Sequence, residues 1–475
     1  MKLCSVLVLL SVLSLAESFT LPALHSSISS SSPSSSMSVS FPRRRDSTPL
    51  WRMSADDNKP KRVAIIGSGL AGLALAIALE KLPTGVETVK IFERTGQLRP
   101  NVGGGLQING AVSVLSRLGL ESELSSTGNR AKLIRSRKAD GSALLEVDIP
   151  KLFQSTAASR AALMQGNDAR QLGIMRDALQ AILYRNIPEG TSVEFGKAVD
   201  SIAVGSSPSL PSTLRFADGS TEQFDLVVGC DGLKSKVREE IVGVEKPFYS
   251  GIKIQFGVGE RRPDGGLRKE ADTDQVHQWF GEGGYAFTAT YGGVDGKKYD
   301  QIALISEEPV PAAENENYEE ADRRAELIAG LERSGMPADL LLMPEQCQRF
   351  FDVGVYFHNP LVPWVKGNLV LAGDAAHAMP PFLGQGANQA VQDAYCLAEA
   401  IAAIGSSHPD LSAALRSYQN QRQPPTTRIM LNSWLIGKLE TQAGPGAEFR
   451  NGVFSVLGKL GIAKQVFLDG ALPKV

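Results

Sequence analysis

Gly67-Ser68-Gly69-Leu70-Ala71-Gly72 follows directly on the apolar, β-branched run Arg62–Ile66 and opens a helical pattern that continues to Leu82. Three glycines at this spacing do separate work. Gly67 permits a tight turn after a strand, Gly69 lets the backbone come close to a pyrophosphate, and Gly72 lets the helix lie against the sheet. The helix N-terminus then presents free N–H groups and its positive dipole end to the phosphates. About 20 residues further on, Glu93 closes a second short strand, Val89–Phe92, where a carboxylate accepts hydrogen bonds from a ribose. A glycine loop alone is weak support for a dinucleotide site. Here strand, loop, helix, second strand and terminal acid stand in order, which implies a parallel sheet and a bound dinucleotide. The loop does not separate a nicotinamide from a flavin dinucleotide.

Two later segments do. Between Asp225 and Arg238 an apolar strand runs into Asp231-Gly232 and then a basic, serine-containing helix start, and from Asn368 to Ala394 the chain reads NLVLAGDAAHAMPPFLGQGANQAVQDA. Together with the glycine loop these motifs resemble the single-component flavin monooxygenases of the para-hydroxybenzoate hydroxylase type. That group includes salicylate-hydroxylase-like enzymes and zeaxanthin epoxidases. The resemblance runs from Lys61 to about Arg428 and keeps the family's order of motifs. It implies bound FAD, NAD(P)H as a transient co-substrate, and insertion of one oxygen atom from O₂ through a flavin C4a-hydroperoxide. Only one nucleotide-binding glycine motif is present, because Gly257-Val258-Gly259 lacks the third glycine and the helix. The nicotinamide therefore has no domain of its own.

By the same resemblance, the Asp374 carboxylate accepts a hydrogen bond from the ribityl chain, Asp231 with Gly232 sits near the pyrophosphate and ribose, and Arg176 reaches the cofactor. Pro380-Pro381 shapes a rigid wall beside the ring. Gly384-Gln385-Gly386 leads into a helix whose N-terminus faces the flavin edge where negative charge gathers on reduction. Gly103–Gly110 corresponds to the segment facing the ring, but departs from the family pattern by one residue and a missing Pro-Asn pair. No contact is therefore assigned to Gln107 or Asn109. His377 follows Asp374 closely and reads as structural.

The substrate side is less defined. A phenol hydroxylase benefits from a base that ionises the ring hydroxyl, whereas an epoxidase needs only an apolar cleft. His277, Tyr285, Tyr356 and His358 are candidate bases, Pro380 stands beside the ring, and each is equally compatible with an ordinary packing role. Trp279, Phe280, Phe287, Phe256 and Phe382 could line a cleft or fill a core. No metal site is indicated.

The elements that must place these residues follow from periodicity. Leu106–Ile108 and Ala111–Leu118 read as strand and helix, Arg176–Tyr184 as a helix, and Leu214–Phe216 with Thr221–Phe224 as a hairpin about Asp218-Gly219. Ile252–Val258, Val276–Phe280, Tyr285–Tyr291 and Ile302–Ser306 read as an antiparallel layer, followed by a polar linker around Pro309–Asn317 and a charged helix ending near Ser334. Val353–Phe357 and Asn368–Ala372 read as strands, Gln385–Ile404 as a long helix, and Leu411–Gln421 and the stretch after Arg428 as further helices. The expected fold is α/β: a discontinuous Rossmann-like FAD domain (60–130, 160–248, 350–408), an inserted, mostly antiparallel substrate sheet (131–159, 249–349) and a helical C-terminal region (409–475).

The 475 residues exceed one small domain, and a formal charge of −2 without long like-charge blocks argues against nucleic acid as a partner. Leu3–Ala16 is a short apolar run with Ala16 and Ser18 placed for cleavage before Phe19, which reads as a signal peptide over 1–18. The Ser-rich, acid-poor stretch 19–59 with Arg43-Arg44-Arg45 has transit-peptide composition. Together they resemble the two-part presequence of algae with complex plastids; secretion with a Ser-rich stalk is the alternative. No segment reads as a membrane span, leaving at most peripheral contact. The expected activity is hydroxylation or epoxidation of a small aromatic or a lipophilic isoprenoid or carotenoid. The alternatives are a reductase resembling the geranylgeranyl reductases and a flavin-fold binding protein without turnover.

Overall fold

The computed structural model describes residues 59–98, 103–206, 210–262, 272–310 and 320–475. The segments read as signal and transit peptide lie outside these residues apart from Lys59, as does most of the expected linker. Within residues 59–475 the dinucleotide part is a six-stranded sheet in the order Thr191–Phe195, Thr88–Glu93, Arg62–Ile66, Leu226–Gly229, Leu369–Leu371, Val365–Lys366. The first five strands are mutually parallel and the last is antiparallel. Parallel strands need crossovers, and the helix Leu70–Lys81, buried on almost every side, supplies the first. Registers such as Ile66 against Phe92 and Gly229 bring Gly67, Glu93, Asp231 and Gly373 to one edge of the sheet, at the carboxyl ends of its strands. That edge is where ligands bind in open parallel sheets.

The second layer is a larger, mostly antiparallel sheet running Arg349–Phe357, Phe248–Glu260, Lys298–Glu307, Gly284–Gly292, Gln275–Phe280, Leu133–Lys138, Ala143–Asp148. Its alternation separates two faces. Ile302, Leu304 and Ala286 pack against Leu327 and Leu331 of the helix Glu320–Arg333. Ala303, Ile305, Tyr285, Ile252 and Ile254 point the other way, where Phe256, Phe287 and Phe382 are only half-buried.

Three expectations need correction. Arg349–Phe357 is the edge strand of the large sheet, so the FAD stretch expected to resume at 350 resumes after Phe357. Gly105–Ile108, expected as a strand within the FAD stretch 60–130, pairs with Leu172–Met175 and through it joins the large sheet. Glycine makes this approach feasible, since a Cβ at Gly105 would lie 2.3 Å from the Tyr291 ring. Finally, the two expected C-terminal helices are one 30-residue helix, Leu411–Glu440, which runs through Pro424-Pro425. The prolines forfeit backbone bonds there. Side-chain bonds offset the loss: Gln423 Nε2 donates to the carbonyls of Pro360 and Val362 outside the helix, and within it Thr426 Oγ1 donates to Arg422 O at 2.8 Å.

Candidate functional site

The glycine loop is closed by its own packing. Gly67 has φ +105° and a Cβ there would sit 2.5 Å from Cys230 O; one at Gly72 would sit 2.1 Å from Gly67 O. Gly69, by contrast, meets only Cys230 O at 4.0 Å, so its backbone faces open space. Glu93 fixes the loop. Its Oε2 accepts from Ser68 N (3.0 Å) and Ser68 Oγ (2.8 Å), and Oε1 accepts from Thr95 N (2.9 Å) and Thr95 Oγ1 (3.0 Å). Burial works against the carboxylate, yet these four hydrogen bonds outweigh it and hold the pKa below the usual range. Glu93 is thus an anion locked beside the loop.

Across the edge stands Asp231. One oxygen accepts from Lys236 N at 2.7 Å, while Oδ1 is shielded from solvent and has no partner among the described residues. Burial pushes this carboxyl upward against the hydrogen bonds that lower it. A second polar group is then needed to satisfy Oδ1, and a hydroxyl-bearing ligand supplies one. Gly232 (φ +77°) has nothing within 4 Å of where a Cβ would stand. Arg176 opens the helix Arg176–Arg185, its N–H bonded to Gly104 O, and its half-buried guanidinium has no partner among the described residues. Asp374 opens the turn Asp374–His377 and its exposed carboxylate is likewise unpaired among them. Gly384 is left-handed at φ +62°, neither it nor Gly386 has a neighbour where a Cβ would be, and Gln385 caps the helix Gly386–Ala402 with Oε1 unpartnered. Bare glycine backbone, an orphaned carboxylate oxygen and a free carboxylate thus stand at the ends of the parallel strands, and the helix opened by Arg176 reaches the glycine loop through Gln180 Nε2, which donates to Ser68 O at 2.8 Å. They fit FAD: the glycine loop against the pyrophosphate, Glu93, Asp231 and Asp374 against hydroxyls, and Gly384–Gly386 against the ring.

The sequence reading missed what braces this cradle. Asn388 Oδ1 accepts from Asn109 N (2.8 Å) and Ala111 N (3.1 Å), and Nδ2 donates to Gln107 O and Gly384 O, both at 3.0 Å. Behind Gly373-Asp374 lies a buried cluster. Asp393 accepts from Gly373 N (2.9 Å) and Arg422 Nε (2.8 Å) and pairs with His377 Nε2 at 2.5 Å. Burial would raise the Asp393 pKa, but His377 and Arg422 together bring it below its ordinary value. His377 is therefore structural, as its position in the motif suggests. Polar residues at helical spacing on the inward face of an apolar helix (Asn388, Gln389, Gln392, Asp393) were the available signal, since such groups are buried only when paired.

The candidate bases separate. His277 shares a face with Trp279, which packs toward the helix Glu320–Arg333, and it is tied to Arg137 (3.3 Å) and Gln275 (3.2 Å). It is a strand residue on the face away from the cradle. His358 Nε2 meets Leu233 O at 2.7 Å and so supports the Asp231 loop, while Tyr356 packs on Tyr249. Both border a cleft of about 600 Å³ lined also by Lys234, Lys236 and Lys246, outside that loop. The Pro380 carbonyl accepts from Ser433 Oγ at 2.6 Å, which ties this turn to the helix Leu411–Glu440. Tyr285 alone faces the cradle side. It is buried, its ring stacked on Phe280 at 5.2 Å, and burial pushes its phenol pKa upward. Of the aromatic candidates, Phe256, Phe287 and Phe382 stay half-buried on that face, whereas Phe280 is core.

Comparison with known proteins agrees with this geometry. A model of the FAD binding domain matches residues 61–433. A 3-amino-4-hydroxybenzoate 2-monooxygenase from Streptomyces platensis is 30% identical over 377 residues, covering 78% of this chain and 86% of that protein. A 6-hydroxynicotinate 3-monooxygenase from Pseudomonas fluorescens is 26% identical over 405 residues, covering 83% and 96%. Among solved structures, Klebsiella pneumoniae HpxO complexed with FAD and uric acid superposes with TM-score 0.70 at 22% identity, covering 87% of this chain and 97% of that one. A salicylate hydroxylase substrate complex gives 0.67 at 23%, covering 87% and 98%.

Proposed function

The chain belongs to the family of FAD-dependent monooxygenases built on this FAD binding domain, and we propose that within it the protein hydroxylates a small aromatic ring carrying a hydroxyl group. When bound, FAD supplies the two-electron reduction by NAD(P)H and the activation of dioxygen that put one oxygen atom on the substrate. The chain's residues bind, orient and exclude water. Gly67–Gly72 and Arg176 hold the phosphates, Asp231 and Asp374 the hydroxyls, and the Gly386 helix end offers N–H groups and a positive dipole where charge develops.

One observation carries the substrate reading. Phe256, Phe287 and Phe382 form a half-buried aromatic surface between the large sheet and the Pro380–Gly386 segment, with Phe351 stacked on Phe256 at 4.7 Å. Flat rings suit such a surface, and the two relatives named above act on substituted aromatic rings by their names. The experiment is aerobic NAD(P)H consumption by purified protein with a panel of phenolic acids and xanthophylls, each product weighed. A phenolic compound that accelerates consumption and gains one oxygen supports the reading. A xanthophyll that does so instead moves the substrate to the isoprenoid class, and gain of two hydrogens makes the enzyme a reductase.

The N-terminal composition leads us to propose delivery to a plastid. A fluorescent protein fused after residue 59 should accumulate in the plastid of an alga with complex plastids, and accumulation in the medium would replace this reading with secretion.

A further inference from the structure

The helix Leu411–Glu440 has two unlike sides. Its inward side braces the cofactor site: Arg422 grips Asp393, Thr426 bonds Arg422 O, and Ser433 binds Pro380 O, and all three residues are buried. At 3.6 residues per turn, Arg428, Leu431, Trp434, Leu435 and Lys438 fall within about 120° of arc on the other side. That outward strip is apolar in the middle and cationic at both ends. Leu431 is 49% exposed, Trp434 is 39% exposed, and Arg428 is exposed as well. None of the five is an acid; Lys438 meets Glu307 of the large sheet at 4.0 Å.

The two helices that follow have the same character. Val456 on Pro445–Lys459 is 43% exposed and Leu460, just past its end, is 64% exposed; they are four positions apart on one face, with Lys459 exposed between them. Charge is skewed throughout this part of the chain. Residues 411–475 hold eight Lys and Arg against three Asp and Glu, in a chain whose formal net charge is −2. Arg422, Arg450 and Glu440 are buried, which leaves Arg416, Arg428, Lys438, Lys459, Lys464 and Lys474 against Glu448 and Asp469. Arg416, Arg428, Lys459 and Lys464 form no ion pair among the described residues. A lone exposed leucine is ordinary. A tryptophan and a leucine set between cations, on a strip without acids, have the pattern of a helix lying in a lipid interface. A second copy seated face to face would set Arg428 and Lys438 against their own duplicates, with no acid on the strip to answer them.

We propose that this outward face docks the protein on an anionic lipid surface: the cations meet the headgroups while Leu431 and Trp434 enter the boundary beneath them. The contact is peripheral, and no helix among the described residues is long and apolar enough to cross a membrane. The same helix binds Pro380 and Leu383 on its inner side, so docking sets the ring-wall segment one helix diameter, about 10 Å, from the lipid. The docking does not depend on the substrate reading above.

The test sediments FAD-loaded full-length protein with vesicles of phosphatidylcholine alone and with vesicles about one third phosphatidylglycerol. Wild type should bind the anionic vesicles at least about tenfold more tightly than the neutral ones, and salt on the order of 0.5 M should remove most of that difference. Trp434→Ser and Leu431→Ser should each weaken anionic binding at least about fivefold, and Arg428→Gln with Lys438→Gln about tenfold, with FAD content unchanged. Residues 1–58 are common to every variant, so any lipid affinity of their own cancels in the comparison. On adding anionic vesicles the tryptophan emission of wild type should shift to shorter wavelength, and Trp434→Phe should lose that shift while still binding. If Trp434→Ser retains no FAD, Trp434→Phe and the paired charge variant decide the matter. Variants that bind as wild type does, or wild type that binds both vesicles equally or neither, overturn the proposal. So does a dimer that Trp434→Ser abolishes in protein that ignores vesicles, which assigns the face to a second copy.

Discussion

Asn388 Nδ2 donates to the carbonyl of Gln107, 281 positions earlier in the chain, at 3.0 Å, and the same amide binds Gly384 O at 3.0 Å. With Oδ1 capping Asn109 N and Ala111 N, one buried side chain joins the loop expected to face the ring to the loop expected to wall it. Four backbone groups thus depend on it. Asn388→Ala leaves them buried and unsatisfied at about 1–3 kcal/mol each before relaxation, so FAD affinity should fall at least about tenfold. Asn388→Asp keeps both accepting contacts, loses both donations and should fall between. Fluorescence titration of apoprotein with FAD measures this, and unchanged affinity in Asn388→Ala would show that the loops hold each other without the amide.

Local chemistry explains why the FAD cradle was readable and its brace was not. Gly67, Gly72, Glu93, Asp231 and Asp374 are dictated by neighbours near in sequence: a turn that needs positive φ, a helix that must touch a sheet, an acid at a strand end. Strand identity also follows from period-two patterns, which is why the large sheet was recognised as antiparallel. Which strands pair is a different matter. Gly105–Ile108 and Arg349–Phe357 carry ordinary strand patterns, and only their partners Leu172–Met175 and Phe248–Glu260 assign them to the large sheet. Asn388 and Arg422 draw their roles from residues 281 and 29 positions away, so the polar spacing on the helix Gly386–Ala402 marks a buried polar group there without naming its partners. Pro424-Pro425 lie between the two stretches read as helical, and the helix continues through them because Gln423 is held by the carbonyls of Pro360 and Val362, more than 60 positions earlier.

The Asp393–Arg422 pair is fully buried, and removing Arg422 leaves the Asp393 charge to His377 and Gly373 N alone. Arg422→Met should therefore destabilise by about 3–5 kcal/mol, visible as a lower thermal midpoint and a lower retained FAD content, because Asp393 also holds Gly373 N. Asp393 has a depressed folded-state pKa, so its contribution is complete above the ordinary carboxylate value of 3.8 and is lost as pH falls below it. Asp393→Asn should narrow the gap between midpoints measured at neutral and strongly acidic pH. A gap equal to that of wild type would mean the ion pair contributes nothing to acid sensitivity.

His277 is the candidate base that the sheet's alternation rejects. It lies on the face packed toward the helix Glu320–Arg333, bonded to Arg137 and Gln275. Replacement by Gln, which keeps hydrogen-bonding capacity at similar size, should leave kcat and its pH profile within about twofold of wild type, a difference too small for loss of general-base catalysis. A drop of two orders of magnitude with normal FAD content would return His277 to the catalytic list.

Glu440 makes a stability prediction independent of turnover. Its folded-state pKa is raised from 4.5 to about 8, chiefly by burial. Between those values the folded protein keeps a proton that the unfolded chain releases, so stability linked to this group is whole below 4.5 and is lost as pH rises through about 8. The loss runs at up to roughly 1.4 kcal/mol per pH unit inside the window. Glutamine does not ionise and has nearly the same size and shape. The thermal midpoint of Glu440→Gln minus that of wild type should therefore widen from pH 5 to pH 8 and level off above it, with every other titrating group cancelling in the difference. A difference that stays flat across this range would mean that Glu440 is already ionised in the folded protein at pH 5.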